Sequence, residues 1–272
     1  MTVCENYLDG ARDAGLLACF GRFAYVAGAY QEPVSGEHQY LVTYWDPALA
    51  RRDTWWSELP AAARAADPLA QAVVLRAPAE VRLSPPWHRY ITYLRYDAAV
   101  APPGAFADGP AVREATSGED GLIRRWLAMA LATAAEAQGA PGGRPVPQDV
   151  VDALFGTPGR HSFVALRGGV PVGHATVLCD EEDEVTGRRT AELFDILVEA
   201  DAGERRRATA ALVAASARHA ARLGLPLMGN VVHTLAGASD PGERVVSSLT
   251  AQGWRPDHVL WRRPLAGEGA AR

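Results

Sequence analysis

Between Thr190 and Gly224 the hydrophobic period of the chain changes once, from two to between three and four. From Ala191 to Val198, Phe194, Ile196 and Val198 fall on one face and Leu193 and Leu197 on the other. Apolar residues on both faces predict a central strand. Ala200 to Arg205 is polar, contains Gly203 and reads as a turn. Ala208, Ala211, Leu212, Ala215 and His219 then recur at helical spacing, with Arg218 and Arg222 in the last turns and Gly224 as the stop. A helix N-terminus leaves backbone N–H groups unpaired and aimed at one point. Arg205, Arg206 and Arg207 add positive charge there, so the stretch predicts an anion site for a phosphate-bearing ligand. The plainer reading is a first helical turn with solvated arginines.

Around this stretch the pattern divides the chain in two. Residues 5–18 suit a short helix, and Phe23 to Tyr30 and Gln39 to Trp45 read as strands separated by the turn-like Glu32–Gly36. Asp53 is placed as N-cap of a helix bearing Trp55, Trp56 and Leu59, with Pro60 awkward in its interior. Strands follow at Ala72 to Arg76 and Trp87 to Tyr96. Residues 1–100 thus form a smaller α+β lobe. The aperiodic Ala101–Pro110 (APPGAFADGP) reads as a linker.

In residues 111–265, Ala111 to Ala115 is a short strand. Ser117, with Asp120 three residues on, is placed as N-cap of a helix from Glu119 to Ala137 whose inner face carries Leu122, Ile123, Trp126, Leu127, Ala130 and Leu131. Pro147 opens a second helix. His161 to Leu166 and Val170 to Cys179 form a hairpin around Arg167-Gly168-Gly169, and the acidic Asp180–Glu184 forms a solvated tip. After the long helix come a strand (Pro226 to Val232), a helix (Glu243 to Gln252) and a strand (His258 to Arg263), with a flexible tail at 266–272. The order is β-α-α-β-β-β-α-β-α-β.

Composition narrows the function classes. The 272 residues are 48% hydrophobic and 22% charged, enough for a sizeable core. A net charge of −5 argues against general nucleic-acid binding. No apolar run reaches membrane-helix length and no basic-then-apolar leader opens the chain, so a cytoplasmic protein with no membrane partner is expected. Cys4, Cys19 and Cys179 are odd in number and widely spaced, which argues against a disulfide framework or a zinc site; no metal is expected. All 27 Lys+Arg residues are arginine, in keeping with a GC-rich coding sequence. The motifs G-x-S-x-G, H-E-x-x-H, C-x-x-C and G-x-x-x-x-G-K-[ST] are all missing.

Four pieces of residues 111–264 together resemble the GNAT superfamily of acyl-CoA-dependent N-acyltransferases: the hairpin FVALRGGVPVGHATV, the strand AELFDILV, the basic helix ERRRATAALVAASARHAARLG, and ERVVSSLTAQGW followed by a strand. The resemblance implies an α+β fold, a mixed, mostly antiparallel twisted sheet flanked by helices, whose central strands splay apart. It implies acetyl-CoA or another acyl-CoA as co-substrate, with pantetheine along Ile196, Leu197 and Val198 and pyrophosphate at Glu204, Arg205, Arg206, Arg207, Ala208 and Thr209. The family's phosphate turn reads Gln/Arg-x-x-Gly-x-Gly/Ala; here its first glycine becomes Arg206 or Arg207 and its second Ala208 or Thr209. The first lobe, with strand, strand, helix, strand, strand, suits a shortened GNAT lobe and hence a tandem arrangement.

The transferred acyl group needs an amine that has lost a proton and a donor for the leaving thiolate. The resemblance makes Glu192, in Ala-Glu-Leu, the general base; the plainer reading pairs it with Arg188 or Arg189. Asp195, in the same otherwise apolar strand, is the second catalytic candidate, with local capping as its plainer reading. Where many relatives carry a tyrosine as general acid, four residues before Gly253, this chain has Leu249; Ser248, Thr250 and His233 are the substitutes. His174 reads as a core histidine, and Trp45, Trp55, Trp56 and Trp87 as core rather than substrate groove. The reading is an N-acyltransferase acting on a small-molecule or peptide amine, with a homodimer open to it. The altered turn and missing tyrosine also suit a non-catalytic ligand- or partner-binding module.

Overall fold

The computed structural model describes residues 3–97, 110–235 and 240–265. The expected linker, except Pro110, and the tail lie outside the described residues. The chain groups into two compact units, Met1–Thr92 with Asp183–Arg188 and Asp257–Arg272, and Tyr93–Glu182 with Arg189–Pro256. Both are α+β.

The first unit contains helix α1 (Glu5–Asp13), strands β1 (Leu17–Phe20), β2 (Phe23–Gln31) and β3 (His38–Trp45), helix α2 (Asp53–Ala66), strand β4 (Ala72–Pro78), the start of β5 (His88–Tyr96) and most of β11 (Arg255–Pro264). β1, β2 and β3 pair antiparallel, β3 and β4 parallel, and β4 and β11 antiparallel. The tryptophans are core: Trp45 stacks on Trp55 at 5.5 Å, and Trp45, Trp55 and Trp87 are buried. Two local expectations change: β1 is an additional strand, and the N-cap of α2 is Arg52 with Asp53 inside the helix. Pro60 lies in the interior of α2, as expected. A proline there cannot donate to the Trp56 carbonyl four residues back; Arg263 donates to it instead, at 2.9 Å. The acidic tip is not wholly solvated either. Asp183 receives a two-point hydrogen bond from Arg76. Burial opposes its ionisation, but Arg76 outweighs this and holds the carboxyl at about 2.

The second unit holds β6 (Ala111–Glu114), α3 (Asp120–Ala137), α4 (Gln148–Phe155), β7 (Arg160–Arg167), β8 (Val170–Asp183), β9 (Arg188–Val198), α5 (Ala202–Arg222), β10 (Leu227–Val232), α6 (Pro241–Ala251) and the end of β5. Its strand order is β5-β10-β9-β8-β7-β6, so β9 is central. β6, β7 and β8 pair antiparallel, and β9 and β10 parallel. One core joins Ala175, Val177, Ala191 and Leu193 of the sheet to Ala208, Leu212, Ala215 and Ala220 of α5. The cap of α3 differs from expectation: Thr116, not Ser117, closes a capping box with Glu119, and a single 3-10 turn precedes the α-helix. Glu119 also takes a forked bond from Arg113, which holds its carboxyl at about 2.

Candidate active site

The parallel ladder between β9 and β10 joins Ala191–Leu193 to Leu227–Gly229. Beyond it β9 continues to Val198 and β10 to Val232, with no further register between the two among the described residues. The side-chain amide of Asn230 crosses to the Phe194 carbonyl at 3.3 Å, just past the last paired residues. Backbone polar groups in a sheet are normally paired. A central strand that loses its neighbour partway therefore offers N–H and C=O groups to an extended ligand, as an edge strand does. Asp195, Ile196, Leu197 and Val198 lie on that segment.

The strand leads into α5 through Glu199, Ala200 and Asp201 alone. Here the structure shortens the expected turn: Gly203 and the arginines are already helical. Asp201 is the reason. As N-cap it accepts hydrogen bonds from the Gly203 and Glu204 amides, both at 3.0 Å. The Glu204 amide, together with that of Gly203, pulls the Asp201 carboxyl below its usual range. Two of the N–H groups expected to meet an anion thus carry a carboxylate of the chain itself. Glu204 is drawn away to Arg167, 2.7 Å distant. Arg205 donates to the Ala200 carbonyl at 2.8 Å.

Between α5 and α6 lies a cavity of about 790 Å³. Its wall is apolar, from Val213, Ala214, Ala217, Val245, Leu249 and Trp254, and Arg205, Arg206 and Arg244 supply its charge. Tyr96 closes it beside Trp254, with ring centroids 5.3 Å apart. Trp254 fits because residue 229 is glycine: a Cβ there would stand 3.1 Å from the indole. Apolar walls with a few placed charges are what a ligand pocket offers. Of the residues proposed for pyrophosphate, Arg205, Arg206 and Thr209 line this cavity, Arg207 is exposed, and Ala208 is fully buried in the core. Arg244, Tyr96 and Trp254 were not legible as site residues, because they come from α6, from β5 and from the segment after α6, and only the fold brings them to one cavity.

The candidate proton-transfer groups separate. Glu192 is half-buried on β9 opposite Met228 of β10, and it has interaction partners in the structure. Asp195 Oδ2 lies 2.9 Å from His174 Nε2, and both side chains are nearly inaccessible. The distance suits an ion pair, yet all four polar atoms of the two residues lack a hydrogen bond of good geometry. His174 is the core histidine expected, stacked on Trp126 at 5.4 Å. Among the substitute acids, Ser248 lines the cavity, and Thr250 bonds back to the Val246 carbonyl. His233 is fully buried with Nδ1 against Asp240.

This architecture is that of the GCN5-related N-acetyltransferase fold. The chain is similar to a GCN5-related N-acetyltransferase from Sphaerobacter thermophilus, at 17% identity over 95% of this chain and 85% of that one, with a TM-score of 0.53. A GNAT-family acetyltransferase from Colwellia psychrerythraea aligns at 10% identity over 90% of this chain and 81% of that one, with a TM-score of 0.51. A functionally unknown conserved protein from Staphylococcus epidermidis aligns at 10% identity over 90% and 91% of the two chains, again at 0.51. At such identities the likeness is one of fold. No protein-family model and no curated protein matches the sequence. No described helix is long and apolar enough to cross a membrane.

Proposed function

We propose that the chain is an N-acyltransferase that moves an acyl group, acetyl in the simplest case, from acyl-CoA to an amine of a small molecule or peptide by direct transfer. The observation that carries this reading is the β9–β10 ladder that stops at Leu193 and Gly229, leaving a central strand open beside a basic helix start and an apolar cavity. In it, pantetheine pairs with the backbone of Ile196, Leu197 and Val198. The phosphates meet Arg205 and Arg206, with Arg207, Ala208 and Thr209 beside them, and Glu204 stays on Arg167. Glu192 takes the proton that the amine loses, directly or through water, as the new C–N bond forms and the C–S bond breaks. Asp195 is the alternative acceptor, and the leaving thiolate regains its proton from Ser248 or water. In this reading the second unit is the acyltransferase domain and the first unit the smaller lobe.

Thermal unfolding with and without acetyl-CoA is the first test. A ligand at a hundred times its Kd stabilises a protein by about 2.7 kcal/mol. Thiol release is then followed across a panel of amines, with Glu192→Gln as control. Turnover at the wild-type rate in that variant removes Glu192 from the mechanism. The second reading, a non-catalytic ligand- or partner-binding module, is favoured by the altered phosphate turn and by Leu249 in place of a tyrosine, and it predicts no thiol release with any amine.

A further inference from the structure

Near the far end of α5 a different cluster forms. Across the β7–β8 ladder His161 stands opposite Val177, and Cys179 lies two residues beyond Val177. Residues two apart on a strand share a face, so His161 and Cys179 lie on the same side of the hairpin. His219 of α5 covers that side, with its ring centroid 4.2 Å from that of His161 and 5.6 Å from Phe163. One ligand atom from each of His161, Cys179 and His219 falls within 4.8 Å of the other two. Cys179 and His219 are buried, while His161 is half exposed.

Two details set this apart from ordinary packing. Nε2 of His219 is buried and has no hydrogen-bond partner, a state that calls for an explanation such as a bound ion. Nδ1 of His161 lies 3.2 Å from Glu114 Oε1. A carboxylate on one imidazole nitrogen fixes the tautomer and leaves the other nitrogen to bind metal.

We propose that His161, Cys179 and His219 bind one divalent cation of the zinc class through two imidazole nitrogens and a thiolate, with the fourth position open where His161 reaches solvent. Thiolate with imidazole selects zinc-like ions over the oxygen-seeking magnesium and calcium. Binding releases the Cys179 thiol proton to solvent, so affinity rises with pH. Nδ1 of His219 lies 3.1 Å from an Arg222 nitrogen, which only donates. Metal at Nε2 therefore moves the ring proton to Nδ1, and the exposed Arg222 turns aside. The ion ties the β7–β8 hairpin to the end of α5, and the proposal does not depend on the acyl-transfer reading.

The test titrates Co²⁺ into metal-free full-length protein carrying Cys4→Ser and Cys19→Ser, which leaves Cys179 as the sole thiol of the three. One equivalent should bind, with a thiolate-to-cobalt charge-transfer band in the near ultraviolet that one equivalent of Zn²⁺ abolishes. Cys179→Ser should remove that band. His161→Ala, at a half-exposed position, should weaken binding at least tenfold while the circular dichroism stays that of the parent. Absence of the band at millimolar Co²⁺ in folded protein overturns the proposal. So does a band that survives Cys179→Ser, or an affinity unchanged in His161→Ala.

Discussion

Gly173 of β8 offers the sharpest mutational test of the packing around the candidate site. An added Cβ would stand 2.7 Å from the Leu197 carbonyl oxygen, 2.8 Å from Val198 Cγ2 and 2.9 Å from Val198 Cα. Two of these atoms are backbone, so no rotamer change relieves the overlap. The segment is also fixed from its neighbour, because the Glu199 amide donates to the Val172 carbonyl at 2.8 Å. Overpacking of this kind costs about 1–3 kcal/mol, and the lower chain entropy of alanine returns roughly 0.5–1 kcal/mol. With two backbone contacts under 3.0 Å the cost lies in the upper half of that range, so Gly173→Ala should lose about 1–2.5 kcal/mol, which at this chain length lowers Tm by about 2–10 °C. Gly121→Ala, where nothing lies within 4 Å, is the control and should not fall. The assay is thermal and urea unfolding followed by tryptophan fluorescence. The displaced backbone is Leu197–Val198, the strand end proposed to hold acyl-CoA, so CoA affinity should fall in Gly173→Ala and not in the control. A Gly173→Ala protein as stable as its parent would refute the close approach of β8 to β9.

Other consequences are local. Thr116→Ala removes one half of the capping box at the start of α3 and should cost about 1 kcal/mol in urea unfolding. Arg263→Met leaves the Trp56 carbonyl opposite Pro60 without its donor and should destabilise the first unit by about 1–3 kcal/mol. The Asp183 carboxyl is depressed from 3.8 to about 2. Its contribution is thus complete above pH 4, is lost as pH falls through 2, and is on the order of 2 kcal/mol. Acid titration of stability should show this loss between pH 4 and 2 in the parent and a flatter profile in Arg76→Met.

Period and punctuation carried the order of elements in the second unit, because Ala191–Val198 and Ala208–His219 follow their own geometry closely. Helix starts were less legible. Asp201, Thr116 and Arg52 occupy caps by backbone conformation and hydrogen bonding, and several polar residues near each start offer the same chemistry on paper. Pro60 looked awkward inside its helix because its relief comes from Arg263, far away in sequence. The anion site suffered from the same blindness: one aspartate before the arginines decides that two amides are already occupied. Cys179 looked isolated for a similar reason, since its histidine neighbours come from β7 and α5 and no spacing rule joins them.

The most direct test of the central claim is calorimetric titration of CoA into the wild-type chain and into Arg205→Ala/Arg206→Ala. The account predicts saturable one-to-one binding, weakened at least tenfold in the double variant, since two lost charge-assisted contacts to phosphate exceed about 1.4 kcal/mol together. No binding at millimolar CoA, or equal affinity in the two proteins, would contradict it.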